Sequence, residues 1–121
     1  MTLDWMIGTN DHWCSFKTID FDSDCFGNDL RGVFIVWYAP AETEEGRVVQ
    51  VGHGVLKIKL AALREEPLLA RYYKRDLLVT WAEVDRQHQA SVEEYLIAVL
   101  SPIFNERHPN VVQTIVNLPA W

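Results

Sequence analysis

Residues 33–38 read Val-Phe-Ile-Val-Trp-Tyr, a run in which every side chain is β-branched or aromatic. Side chains of this kind fit a pleated, packed surface, so the run is expected as a strand opening at Gly32. A turn-rich segment, Ala39 to Gly46, follows it, and Val48 to Gly52 is a second short strand. Two strands so close in sequence predict a hairpin. Gly52-His53-Gly54 is then expected to break the strand and open a helix, and Glu66 to Tyr73 to form a second one, with Pro67 suited to its first turn. Leu77 to Val84 reads as another strand and Ser91 to Ser101 as a helix stopped by Pro102, with Val111 to Val116 as a late strand. Strands joined as a hairpin and helices in between predict an α+β domain: a small antiparallel β-sheet flanked by helices.

A chain of 121 residues is expected to be one domain, residues 1–121, able to bury a core without disulfides. About half its residues are apolar and five are tryptophan, which excludes a disordered chain. Cys14 and Cys25 are too few for a disulfide framework and read as reduced thiols. The apolar runs are shorter than a membrane span and the start resembles no signal peptide, so a cytoplasmic location is expected, with no membrane contact. Residues 1–30 carry six aspartates and one lysine and read as an acidic N-terminal extension. Asp20, Asp22 and Asp24 alternate like a calcium loop, but Cys25 and Arg31 stand where that loop needs glycine and glutamate. The net charge of −6 argues against tight nucleic-acid binding by counterion release alone. Within residues 57–75 the sign reverses: Lys57, Lys59, Arg64, Arg71, Lys74 and Arg75 oppose Glu65 and Glu66. That stretch is either a solvated helical surface or a weak nucleic-acid contact.

Two charges fall where the helical pattern is apolar. At 100° per residue, Leu96, Ile97, Val99 and Leu100 share an arc that also holds Glu93, opposite Glu94, Ala98 and Ser101. Burying a bare carboxylate costs several kcal/mol, so Glu93 needs a cation, a metal or several donors as partner. The alternative is that Glu93 only favours the positive end of the helix, Ser91 and Glu94 forming a capping box. Lys59 similarly lies near the centre of the arc formed by Val55, Leu56, Ile58, Leu60, Ala62 and Leu63, with Lys57 and Arg64 on the polar side. Either it snorkels to water or it reaches an anion at a site beside Glu93.

Taken in order, Gly32-Val33-Phe34, Gln50-Val51-Gly52, the Lys59 helix and Glu93-x-x-Leu96-Ile97-x-x-x-x-Pro102-x-x-Asn105 resemble the GIY-YIG nuclease family over residues 31–106. The resemblance implies a GIY-YIG-like core in which a phosphodiester is hydrolysed: two strand tyrosines, a helix arginine, a metal-binding glutamate and a supporting asparagine act together. Carried onto this chain, Glu93 would bind one Mg2+ or Mn2+ and Asn105 would support the site. Phe34 and Gln50 replace the two tyrosines, and Lys59 replaces the arginine without its bidentate fork. His53 is a candidate substitute base, since imidazole titrates near neutral pH; a turn residue is the plainer reading of a histidine between two glycines.

Loss of both phenols and the guanidinium points to a domain with weak or absent metal-dependent nuclease activity that binds a protein or nucleic acid. An active, divergent endonuclease using Glu93, Lys59, Asn105 and His53 is the alternative. The resemblance further implies that Phe34 and Gln50 lie on adjacent antiparallel strands near Lys59, with Glu93 facing the same pocket.

Overall fold

The chain folds in the order β1 (Cys14–Ser15), β2 (Arg31–Tyr38), β3 (Arg47–Val55), α1 (Leu56–Arg64), α2 (Pro67–Ala70), β4 (Leu77–Glu83) and α3 (Gln89–Leu100). The computed structural model describes residues 1–8, 11–21, 26, 29–40, 45–72 and 75–121. Asp22, Asp24, Cys25, Tyr73 and Lys74, which entered the sequence reading, lie outside these residues, as does half of the turn between β2 and β3. The four strands form one antiparallel sheet in the order β1-β4-β2-β3, so the architecture is α+β as expected. Among the described residues no helix is long and apolar enough to cross a membrane.

The run of β-formers takes the centre of the sheet because both of its faces can be buried. Phe34, Val36 and Tyr38 face a cluster built with Phe16, Phe26, Leu56, Leu60, Leu69 and Trp81. Val33, Ile35 and Trp37 face the opposite cluster, with Leu3, Val51, Val92, Leu96, Ile97 and Val116. α1 and α2 therefore cover one face and α3 the other. β3 pairs only with β2, so it is an edge strand flanked by α1 on one face and α3 on the other. A bulge between Val36 and Trp37 lets the hairpin pass from the Val36–Gln50 pair to the Trp37–Val48 pair.

Several expectations are corrected. Gly52-His53-Gly54 does not break the strand: β3 continues to Val55, with Gly52 opposite Phe34, His53 opposite Val33 and Gly54 opposite Gly32. The Phe34 ring lies over Gly52 so closely that a Cβ there would stand 2.3 Å from the ring, and Gly54 has φ +133°. Both positions thus use glycine to keep the strand running rather than to end it. The second helix is a single turn. The stretch 111–116 is not a strand, because its backbone bonds elsewhere: Thr114 donates to Ser91 O, and Ile115 O accepts from the Met1 amino group.

Residues 1–30 are interleaved with the core. Met6 N donates to Trp81 O, β1 pairs with β4, and Asn117 holds Leu3 through both its carbonyl and its N–H. Leu3, Phe16 and Phe26 are buried, and Phe26 stacks on Trp81 at 4.3 Å between ring centroids. The acidic charge is carried on a segment that also supplies buried side chains to the core.

The two helices are phased differently from the sequence reading. α3 begins at Gln89, two residues before Ser91, with His88 at the N-cap. Ser91 is therefore inside the helix, donating its hydroxyl to His88 O, and no capping box forms. Glu94, expected on the solvent side, is 1 % exposed, whereas Val99, expected in the apolar arc, is 47 % exposed. On α1, Leu56 and Leu60 are buried while Ile58 is 64 % exposed. Lys59 is exposed, and the cation that turns inward is Arg64, donating to Phe16 O and Ile19 O with its guanidinium over the Phe21 ring. The reason is the N-terminal segment, which lays carbonyls and rings against a helix face that has no apolar signal of its own.

Candidate functional site

The candidate site lies beside the C-terminal half of β3, between α1 and α3. A cavity of about 580 Å³ is lined by Phe34 from β2, Gln50, Gly52 and His53 from β3, Lys59 from α1 and Glu93 from α3. The structure thus brings five of the six sequence-predicted residues into one pocket.

Each is delivered by a local feature. Phe34 is buried, its ring lying over Gly52. The Lys59 stem runs across Gly54, its Cε within 2.9 Å of where a Cβ would stand, so the lysine snorkels and lines the pocket at once. His53 projects toward α3, where its Nδ1 lies 2.9 Å from Glu93 Oε2. The partner of Glu93 is His53 and not Lys59. In the neutral tautomer whose Nδ1 donates to the carboxylate, Nε2 is the basic nitrogen. The Glu93 side chain is 16 % exposed and that of His53 is 38 % exposed, so the contact is sheltered but open to a ligand.

Asn105 stands outside the pocket lining and acts from behind. α3 ends at Leu100, Ser101 adopts the left-handed conformation, and Pro102 turns the chain back along the free edge of β3. Ile103 N and Phe104 N donate to Val48 O and Val49 O. Asn105 then grips Val51 twice, accepting from its N–H at 2.7 Å and donating to its carbonyl at 2.9 Å. This satisfies backbone groups of an edge strand that would otherwise be open to water or to another chain. The amide positions the strand that carries Gln50 and His53.

Glu94 anchors the same loop from the opposite side of α3. It accepts from Arg107 Nε at 2.5 Å and from His108 N at 3.0 Å. Burial would push its carboxyl up, but the Arg107 hydrogen bond, the His108 N–H and the charges of both residues outweigh that and hold it below the usual carboxylate range.

Arg31, Glu66, Arg86 and Gln89 also line the pocket. Their functional signal in the sequence is faint. Arg86, Gln89, Ala90 and Glu93 recur at three- and four-residue spacing, which would place them on one helical face, but Arg86 precedes the helix. Among the described residues no cluster of three or more His, Cys, Asp and Glu is arranged to hold a metal. Glu93 alone could hold a hydrated divalent ion through one carboxylate oxygen, with water and ligand oxygens completing the shell. The chain matches no family model, and no curated protein or solved structure matches it.

Proposed function

We propose that the protein is a GIY-YIG-like domain that binds a nucleic-acid phosphodiester in the cleft beside β3 and hydrolyses it weakly or not at all. The observation that carries this reading is the convergence of Phe34, Gln50, His53, Lys59 and Glu93 on one pocket, with Asn105 clamping the strand between them. The elements that bring them together are the ones whose order suggested the resemblance. Phe34 and Gln50 have no phenol to activate water, and Lys59 lacks a guanidinium fork. Glu93 would hold Mg2+ or Mn2+, which when bound supplies neutralisation of phosphate charge.

A second reading, an active endonuclease, is favoured by the His53–Glu93 contact. With Nδ1 donating to the carboxylate, Nε2 is available to take a proton from water. The two readings separate in one experiment: labelled duplex and single-stranded DNA are incubated with magnesium or manganese, and binding and cleavage are followed together. Binding with little or no turnover is the expected result. Robust cleavage that disappears in Glu93→Ala would establish the enzyme instead, and absence of any binding would remove both readings.

A further inference from the structure

Some basic side chains of this protein are engaged by its own groups, while others, Arg47 and Arg71 among them, have no side-chain partner among the described residues. Arg64 is held by Phe16 O and Ile19 O, Arg75 lies over the Tyr38 ring, and Arg107 is bonded to Glu94. Arg31, Lys59 and Arg86, by contrast, make no hydrogen bond, ion pair or ring contact among the described residues. All three line the same pocket. They come from three different elements: the first residue of β2, the first turn and a half of α1, and the turn that leads into α3. The two carboxylates of the lining, Glu66 and Glu93, do not pair with them, Glu93 being engaged by His53.

Cations that converge on a concave surface without protein partners repel one another, and the repulsion is relieved when an anion binds. We infer that Arg31 and Arg86 form, with Lys59, a three-sided clasp for the phosphate backbone, supplying from β2 and the β4–α3 turn the guanidinium forks that α1 lacks. This rests on the phosphodiester-binding reading and adds to it the residues that grip the ligand. An arginine fork matches two phosphate oxygens at once, whereas Lys59 acts as a point charge. Residues 57–75, the basic stretch most visible in the sequence, contribute Lys59 to this clasp, while two other basic residues of the stretch, Arg64 and Arg75, are engaged by the protein itself.

The test measures binding of a fluorescent DNA duplex by the full chain across a series of salt concentrations, with folding of each variant checked by circular dichroism. Arg31→Gln and Arg86→Gln should each weaken binding at low salt and lower the slope of log affinity against log salt by about 0.9, one released counterion per phosphate contact. Arg31→Lys and Arg86→Lys should keep the slope and still lose several-fold in affinity, because charge remains and the fork does not. Arg47→Gln, which lines a different cavity, should change neither. Native binding that is indifferent to Arg31→Gln and Arg86→Gln but lost in Lys59→Gln would overturn the clasp and leave the phosphodiester reading standing. Lysine variants that bind as well as the native chain would also overturn it, showing diffuse attraction in place of a fork. Failure of the native chain to bind would overturn both.

Discussion

At the scale of single residues, two adjacent glutamates on one helix have opposite fates. Glu93 faces β3 and meets His53, and Glu94 is enclosed against Arg107 and His108 N. The helical wheel placed Glu93 inward and Glu94 outward, and it was right to expect a partner for Glu93 but wrong about which of the two would be buried. A wheel ranks positions by their own helix, whereas burial depends on what returns to cover them. The Glu94 cage gives a stability prediction with a definite sign. Its carboxyl is held below the usual carboxylate range, so its contribution is fully present above that range and is lost as pH falls through the lowered folded value. Glu94→Gln should destabilise the protein by about 2 kcal/mol near neutral pH, since hydrogen bonds to a charged group are being replaced. Urea unfolding of both proteins at neutral and acid pH checks this: the gap between them should narrow on acidification. An equal gap at both pH values would count against the cage.

At the scale of elements, β3 carries most of the functional interpretation. It runs through the Gly-His-Gly triplet because Phe34 crosses at Gly52 and because Gly54 adopts a φ that side chains avoid. Gly52→Ala should therefore displace the Phe34 ring and cost about 1–3 kcal/mol by overpacking, measurable as a fall in the thermal midpoint. That Phe34, Gln50 and Lys59 fall on successive elements was legible in the sequence because strand order and helix order are local; the distance between Phe34 and Lys59 was not, because it depends on register and on how α1 leaves β3. If the pocket is a depleted phosphodiester site, restoring Phe34→Tyr, Gln50→Tyr and Lys59→Arg together should raise metal-dependent DNA cleavage above the native level by about 10²-fold, the lower end of what a positioned base contributes. Adding Glu93→Ala to that triple variant should remove the gain. Cleavage that survives Glu93→Ala would point to a different site.

At the scale of the whole molecule, the N-terminal residues belong to the core, although their charge marked them as an extension. Removal of residues 1–7 would take away buried Leu3, the Met6 N–Trp81 O bond and the Asn117 bonds to Leu3. The expected cost is about 3–5 kcal/mol, read from chemical denaturation, where a dispensable extension would cost nothing. The sequence by itself determined the hairpin, the approximate places of the helices and strand β4, and the α+β class, because each rests on a periodicity or a dense β-forming run within about a dozen neighbours. Tertiary structure alone decided that Arg64 turns in and Lys59 out, that 111–116 bonds to α3 and the N-terminus instead of joining the sheet, and that Arg31 and Arg86 meet at the pocket. The partners concerned are far apart along the chain, forty residues for His53 and Glu93 and fifty-four for Asn105 and Val51. No local pattern records a contact at that separation; the sheet register and the path of the chain around its edges produce it.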